Sequence, residues 1–403
     1  MANSLTPLSP TYWSRRMGHK LYKTVIFREL ANFEEEAVLT DGQIVDRPYR
    51  SDIVIENYTK GTALTAQDLT ANSDTLTVNV IKAALLYVDN VDKLQNKYSA
   101  VNAWTDEGGR RLAIGIDARF LYQAFSANDT IDDGDIGGTS GNGIVTATSN
   151  VDDVFAALNL KFDANNVPDD ERNLAASPQF LSKLWLRVSS KQSGLGDKTA
   201  QNGNVGTYAG IKLFKTNNLT GSARWTPGDA LTPTAGETLT IQSITFTWQT
   251  TIGTTAGNVL AVTDMPTSID NLVALINAGG ASSDSGVSNV ALSTANQRVV
   301  QDWVAVDGTT YIEVRAMGAS YLTVSGSQAA DVWTANKQLQ NMLATRDKAI
   351  DAVIQKNPSV EMASTVSAGK SGMNALALEL FAVGTFNQGK NEIFRVLLRS
   401  DAY

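Results

Sequence analysis

The chain has 403 residues, 43% of them hydrophobic and 18% charged, which indicates a folded protein with room for two or three domains. Its net charge of −8 argues against nucleic-acid binding by the molecule as a whole, because an acidic chain gains no counterion-release energy; one local basic face is still allowed. With no cysteine and a single histidine, His19, the composition excludes disulfides, thiolate chemistry and histidine-rich metal sites.

Membrane and secretion signals are missing from the sequence. The longest apolar runs fall far short of the roughly 20 residues that cross a bilayer, and the N-terminus lacks the apolar core of a signal peptide. We therefore expect a soluble protein that is made in a cytoplasm and has no membrane partner.

Residues 1–40 are predicted to form an N-terminal arm. Pro7 and Pro10 disfavour a helix at its start. From position 24 the apolar spacing predicts a helix whose Glu34, Glu35 and Glu36 form a solvated face; the alternative, a carboxylate metal site, lacks a complementary ligand nearby. The basic and aromatic residues of the arm are Trp13, Arg15, Arg16, His19 and Lys20.

Residues 41–88 are predicted to form a long two-stranded hairpin. Its strands are placed at 51–58 and 75–80, and the second alternates apolar and polar residues. A hairpin of this length has little core of its own, and its open edges can pair with another chain. Two interpretations stay open: packing on its own domain, or an arm that lies on a neighbouring subunit.

A long helix is predicted over 89–127, with Asp89 as its N-cap and a kink at Gly108 and Gly109. The segment 128–150 that follows is predicted to be a flexible, acidic and glycine-rich loop. Its aspartates suggest calcium, but their spacing fails the EF-hand pattern, so a solvated loop is preferred. These aspartates are Asp129, Asp132, Asp133 and Asp135.

The stretch 151–219 carries the clearest local signals. A helix is predicted over 151–162, a turn at Val167 and Pro168, and a short strand over 174–176. Ser177 is the expected N-cap of a helix that begins at Pro178, where the missing N–H costs nothing. A strand over 211–214 ends at a turn formed by Asn217 and Asn218.

Residues 222–333 differ in composition, because no lysine occurs between Lys215 and Lys337 and small polar residues dominate. We expect an inserted β-rich domain with its own core. Its predicted elements are a hairpin over 239–248, one helix capped by Ser268, and strands at 299–306, 310–317 and 321–324.

The last part of the chain, 337–403, is predicted to contain three strands. The first covers 349–354, and the other two, 376–386 and 392–398, are joined by a turn in which Gly389 supplies a positive φ. The final strand is expected to lie within a sheet.

The ordered motifs between 165 and 219 resemble the major capsid proteins of tailed bacteriophages of the Hong Kong phage type. The motifs are VPDDER, a short strand, SPQFLSKL, a glycine-rich gap and AGIKLFKTNNL. The resemblance implies an α+β phage-capsid fold. Its expected parts are an N-terminal arm (1–40), an extended β-hairpin loop with flanking peripheral strands (41–88), a spine helix (89–127), a central domain (128–221), the inserted β-rich domain (222–333), and a return to the central domain and peripheral sheet (334–403).

The resemblance also implies a function: self-assembly into pentamers and hexamers that form an icosahedral shell around viral DNA in a virion. Expected partners are further copies of the chain, a separate scaffolding protein, a portal protein and packaged DNA in nonspecific contact; no cofactor or metal is expected. Some relatives crosslink a loop-tip lysine to a neighbour, and Lys60 lies in the matching region, although ordinary ionic contacts are the preferred interpretation. The candidate inter-subunit contacts are Trp13, Arg15, Arg16, Arg47, Tyr58, Lys60 and Asp68.

Three alternatives remain. The same fold could form a bacterial protein compartment, or the chain could be a surface adhesion protein whose recognition module is 222–333. An enzyme is the weakest option: the phosphate-loop-like Gly369, Lys370 and Ser371 lack the first glycine, since Ser364 stands in its place, and no histidine can activate Ser140.

Overall fold

The structure, a computed structural model, describes residues 23–37, 39, 42–50, 53–61, 63, 66–67, 71–90, 92, 100–190, 206–225, 233–262, 264–308, 311–319, 321–327, 338–367 and 370–399. Within these ranges the chain combines helices with four sheets. The helices are α1 (Phe27–Leu30), α2 (Ala100–Tyr122), α3 (Val151–Ala164), α4 (Pro178–Ser189), α5 (Met265–Asn277) and α6 (Thr294–Val300).

A ten-stranded mixed sheet forms the centre of the molecule. Its main order is β13-β14-β9-β16-β6-β8-β7, and β19 pairs with β16 and carries β4 and β5 as parallel neighbours. The strands are β4 (Asp129–Ile131), β5 (Ile144–Val145), β6 (Arg172–Ala176), β7 (Thr207–Tyr208), β8 (Ile211–Lys215), β9 (Thr220–Trp225), β13 (Trp303–Asp307), β14 (Ile312–Ala316), β16 (Leu339–Arg346) and β19 (Ile393–Arg399).

Helices α3 and α4 contribute to the core around this sheet, as their apolar spacing predicts. The apolar face of α3, which consists of Val151, Phe155, Leu158 and Phe162, is fully buried, and Phe162 packs edge-on against Phe394 of β19. The cap of α4 is confirmed, because Ser177 Oγ accepts the N–H of Phe180 at 3.1 Å and Pro178 occupies the first helical position. The predicted strands at 174–176 and 211–214 are present as β6 and β8.

A three-stranded sheet of order β17-β18-β3 packs beneath α2. Its strands are β3 (Val80–Asp89), β17 (Asp351–Ser367) and β18 (Lys370–Gly384). The prediction that Asp89 caps the long helix is wrong, because Asp89 is the last residue of β3, paired with Gly372. Helix α2 runs without interruption through Gly108 and Gly109. Gly108 faces β18, where a Cβ would make an ordinary van der Waals contact with the Cβ of Ala377 at 3.7 Å.

The hairpin consists of β1 (Ile44–Arg50) and β2 (Ala71–Thr77): the strand predicted over 51–58 is wrong, and the strand predicted over 75–80 overlaps β2 only at 75–77. Residues 53–61 contain no strand. The observed register places Val45 opposite Leu76, and both pack with Val353 and Phe386 in a small cluster at the base of the hairpin. The register is fixed because Val45 and Leu76 are buried together. The local sequence does not specify this pairing.

The segment from 23 to 39 packs in its own chain and not as a free arm. Ile26, Phe27 and Leu30 are buried, and the carboxylate of Asp117 in α2 accepts the N–H groups of Ile26 and Phe27, both at 2.9 Å. The single helix predicted from position 24 is broken at Asn32, whose side-chain amide donates to Asp351 at 2.9 Å. A 3₁₀ turn at Glu34–Glu36 follows.

Residues 223–324 build a second hydrophobic core that is separate from the first. It includes a four-stranded sheet of order β12-β11-β10-β15 and helices α5 and α6, while β14 pairs with β9 and so extends the central sheet. The strands are β10 (Thr238–Ile241), β11 (Ile244–Gln249), β12 (Asn258–Leu260) and β15 (Val324–Gly326). The predicted hairpin over 239–248 is confirmed as β10 and β11.

Three predictions in this block were wrong in detail. Asp264, not Ser268, caps α5, because its carboxylate accepts the N–H of Thr267 at 2.9 Å; Ser268 lies one turn inside the helix. Helix α6, which was not predicted, occupies the first part of the strand placed at 299–306. The last strand of the block begins at Val324, where it had been expected to end.

The two strands expected to be joined by a turn at 387–390 belong to different sheets. β18 lies in the three-stranded sheet, whereas β19 pairs with β16 in the central sheet, as the predicted burial of the last strand requires. Gly389 begins a 3₁₀ turn and lacks a positive φ. A glycine fits there for another reason: a Cβ would lie 2.6 Å from the carbonyl oxygen of Ala349.

Candidate inter-subunit contact surface

The base of the hairpin is tied to its own chain through Arg47. Its guanidinium donates to Glu35 at 2.5 Å and to Asp351 at 3.1 Å, and it lies 4.0 Å from the ring centroid of Phe386. Burial alone would lower the pKa of Arg47, but its bonds to the two carboxylates outweigh burial and raise it. Arg47, predicted as an inter-subunit contact, therefore has a full set of partners within its own chain.

A recess of about 210 Å³ lies beside Arg47, between the hairpin base and the turn at 386–392. Three carboxylates and two cationic groups line it, so its charges nearly balance. Burial raises the pKa of Asp351, against the attraction of Arg47. The charged lining residues are Arg47, Asp74, Lys348, Asp351 and Glu392. They can bind a polar group, but they include no nucleophile next to a general base.

The tip of the hairpin projects apolar side chains into solvent. Ile53, Val54, Ile55 and Tyr58 are between 65% and 95% exposed. The backbone of Val54 is held by the side chain of Gln67, which accepts its N–H at 3.1 Å and donates to its carbonyl oxygen at 2.5 Å. Such a cluster of exposed β-branched and aromatic residues is typical of a surface that a partner covers.

A second apolar surface, which we call the outer sheet face, lies on the three-stranded sheet opposite α2. On β3 it presents Ile81, Leu85 and Tyr87, of which the first two are each 66% exposed. Their partners on β18 point to the same side, because directly opposed residues of an antiparallel pair share a face. These partners are Leu380, Leu376 and Asn374, with the half-buried Leu378 between them.

The strand β3 also offers a backbone edge. It pairs with β18 on one side only, as far as the described residues go. An open edge next to an apolar face is a template for pairing with another chain. The sequence alone does not indicate this surface, because residues 80–88 are apolar on both faces except at Lys82, and only the position of α2 decides which face is covered.

The acidic segment near 129–145 is a folded turn and not a flexible loop. Asp132 accepts N–H groups from Gly134 and Gly141 at 2.8 and 2.7 Å, and Asp135 reciprocates by accepting the N–H of Asp132. Lys161 pairs with Asp129 and Asp135. Most of these carboxylates therefore accept hydrogen bonds from backbone N–H groups or form ion pairs with Lys161.

The structure separates the predicted contact residues into three groups. Tyr58 and Lys60 lie together on the exposed tip, and Arg47 lies in the base. The other four, Trp13, Arg15, Arg16 and Asp68, lie outside the described residues.

Two further properties of the described part of the chain bear on its chemistry. No three acidic or histidine side chains there converge closely enough to hold a metal ion. None of the helices described combines the length and the apolar character that crossing a bilayer requires.

Comparison with solved structures places this architecture in a known fold. The chain is similar over 100% of its length to 96% of a chain in the capsid structure of the cyanophage P-SCSP1u, with 15% identity and a TM-score of 0.55. It also matches 96% of a chain from Mycobacterium phage Che8 over 96% of its own length, with 13% identity and a TM-score of 0.55. No family model and no curated protein sequence matches the chain.

At this level of identity the likeness concerns the fold, and it is nearly complete along both chains. The chain therefore has the fold of a bacteriophage capsid protein, an α+β fold, as the sequence motifs predicted. The equivalence of α2 to the spine helix, and the domain boundaries, remain predictions.

Proposed function

We propose that this chain is the major capsid protein of a tailed bacteriophage and assembles into the pentamers and hexamers of an icosahedral shell around packaged DNA. The observation that carries the proposal is the pair of exposed apolar surfaces, the hairpin tip and the outer sheet face, on a chain with the capsid fold. Its role is structural and not catalytic.

Contact between these two surfaces supplies the driving force for assembly. Each large apolar side chain moved fully out of water contributes about 1.5–3 kcal/mol, before the cost of ordering the partners is subtracted. In this proposal the hairpin tip of one copy packs against the outer sheet face of the next copy, beside the open edge of β3. Each contact is weak, but a closed shell repeats it many times, so every bound copy raises the effective concentration of the next contact.

The proposal includes three partners besides further copies: a separate scaffolding protein, a portal protein and the packaged DNA. The contact with DNA is nonspecific and weak, in keeping with the net charge of −8. The acidic turn near 129–143 is proposed to lie near the capsomer centre. The virion is the place where the protein acts.

Electron microscopy of the purified chain, expressed with and without a scaffolding protein, tests the proposal. We expect uniform shells from the unchanged chain in at least one condition. Ile55→Asp places a charge on the tip and should abolish the shells without changing the circular dichroism spectrum. Val287→Asp, at another exposed apolar residue outside both surfaces, is the matched control and should assemble.

Other results would identify a different function. A small monomer in both conditions contradicts the proposal, and a discrete oligomer favours an adhesion protein. Shells that enclose an enzyme in place of DNA indicate a compartment. Denaturing electrophoresis of the shells addresses Lys60: a single monomer band excludes a covalent crosslink.

A further inference from the structure

One face of the central sheet carries three arginines around a single buried glutamate. Glu313 of β14 lies opposite Arg224 of β9, and Arg315 follows two residues later on the same face. Arg395 comes from β19, on the other side of β16. The three arginines therefore converge from three strands, two of them close to the second core and one belonging to the first.

Glu313 forms ion pairs with two of the three arginines. The Nε of Arg315 donates to it at 2.9 Å and an Nη of Arg224 approaches it at 3.4 Å. Burial alone would raise the pKa of Glu313, but the attraction of Arg315, Arg395 and Arg224 outweighs burial and lowers it. Glu313 is therefore ionised and supplies one negative charge.

Arg395 lacks an ion-pair partner within the described part of the chain. No carboxylate lies within 4.0 Å of it, and its buried Nε donates no hydrogen bond. Its guanidinium lies 4.7 Å from the ring centroid of Phe125, and that of Arg315 lies 4.1 Å from the same ring. The two cationic groups thus occupy one small region.

The surroundings of Arg395 disfavour its charge. Burial lowers the pKa of Arg395, and repulsion from Arg315 and Arg224 acts in the same direction, while Glu313 and Asp132 only partly oppose them. An arginine nevertheless stays protonated in proteins. Asp132 is not free to approach, because both of its oxygens accept backbone N–H groups.

The charges of this cluster do not balance. Three guanidinium groups face Glu313 and, further away, Asp132, which leaves one positive charge in excess, and largely buried charges are normally paired. We propose that Arg224, Arg315 and Arg395 form a binding site for a small oxyanion of the phosphate and phosphomonoester class. Arginine forks bind such groups through several parallel hydrogen bonds.

The shape of the cluster favours a small anion over a nucleic-acid backbone. Arg395 is largely buried, whereas the side chain of Arg224 is 33% exposed, so the site opens at Arg224. A phosphodiester in a duplex cannot leave its helix to reach Arg395. A bound anion would join β9 and β14 to β19, and would therefore connect the two cores.

Thermal unfolding in sodium phosphate and in sodium chloride, at equal ionic strength and pH, tests the proposal. Phosphate stabilises proteins generally because it is excluded from their surface, so bound phosphate is recognised by comparing the variants with the unchanged chain. We expect a phosphate-specific rise in Tm for the unchanged chain and for Arg298→Met, which removes one exposed positive charge elsewhere. Arg395→Met should lose that rise, and in chloride alone it should be at least as stable as the unchanged chain.

Isothermal titration with inorganic phosphate gives a second measurement that does not depend on the folding of the Arg395 variant. We expect one phosphate per chain, and binding at least about tenfold weaker in Arg224→Met. Absence of binding to the unchanged chain overturns the proposal. A chain that ignores phosphate but needs Arg395 for assembly also overturns it, because a carboxylate of a second copy would then be the occupant.

Discussion

Glu379 is a fully buried carboxylic acid on the face of β18 that packs beneath α2. Neither of its oxygens has a hydrogen-bond partner among the described residues, and a Cβ on Gly115 would lie 3.9 Å from one of them. Burial raises the pKa of Glu379 to about 7, and the nearby Lys82, which forms an ion pair with Asp302, lowers it only in part. The acid is therefore held in its neutral form at mildly acidic pH.

This residue predicts a pH dependence of stability. The pKa of Glu379 is higher in the folded chain than in the unfolded chain, so folding loses stability as the pH rises from about 4.5 through 7. The full effect is about 3 kcal/mol. We expect Glu379→Gln to match the unchanged chain within about 1 kcal/mol at pH 5 and to be more stable at pH 8.5, as measured by urea unfolding.

The matched control for this prediction is Glu361→Gln on the neighbouring strand. Glu361 is exposed, and its hydrogen bond to Lys356, at 2.6 Å, lowers its pKa. Its replacement should therefore give no gain at high pH. If the difference in stability between Glu379→Gln and the unchanged chain were the same at pH 5 and at pH 8.5, the carboxylate would not be held neutral in the folded chain.

At the scale of the element, α2 shows that two adjacent glycines need not bend a helix. A Cβ at Gly109 would meet no atom within 4 Å, so alanine fits there. Because glycine inside a helix costs about 1 kcal/mol relative to alanine, Gly109→Ala should stabilise the chain by about that amount in thermal or urea unfolding. Gly389→Ala, where a Cβ would lie 2.6 Å from a carbonyl oxygen, should instead destabilise it.

If Gly109→Ala destabilised the isolated chain, the helix would need the flexibility of glycine, as the predicted kink requires. If Gly109→Ala were more stable but assembled poorly, the flexibility of glycine at this position would be needed for assembly and not for the folding of the free chain.

Elements with strong local signals were predictable. The cap at Ser177 and the apolar face of α3 depend on neighbouring residues only, and both are present as expected. The strands of the hairpin were not predictable, because Val45 and Leu76 are selected by contact with Val353, about 300 residues away. The same reason applies to the candidate surface: the family resemblance named Tyr58 as a candidate contact, whereas Leu85 could be recognised as exposed only after α2 was placed.

At the scale of the whole molecule, two cores share one sheet. The second core consists of residues 223–324, and it meets the first where β9 pairs with β14 on one side and with β16 on the other. Ion pairing between Lys82 and Asp302 adds a second connection, from β3 to the turn before β13. In the described part of the chain, the first core thus meets the second mainly at one strand edge and through a few polar contacts.

This arrangement predicts that the second core can be removed. Replacing residues 226–337 by an Asn-Gly turn should leave a folded chain, since β9 and β16 are already antiparallel neighbours. Trp225→Thr in the same variant removes an aromatic side chain that would lose its stacking partner Trp248. We expect one cooperative urea transition with a smaller m-value, because less surface is exposed on unfolding.

A non-cooperative transition would contradict this prediction and would mean that the first core needs β14. The matched control is the full-length chain with Trp225→Thr alone, which separates the effect of the substitution from that of the deletion.

Ser222 of β9 lies opposite Leu339 of β16, so the two ends of the segment that connects these strands are close together. The chain leaves β9 and re-enters the central sheet at the neighbouring strand β16, and the segment between them adds β13 and β14 only beyond the edge of β9, so this segment can be exchanged while the first core keeps its shape. If the chain assembles as proposed, a foreign sequence inserted between β9 and β16 would be displayed once on every subunit of the shell.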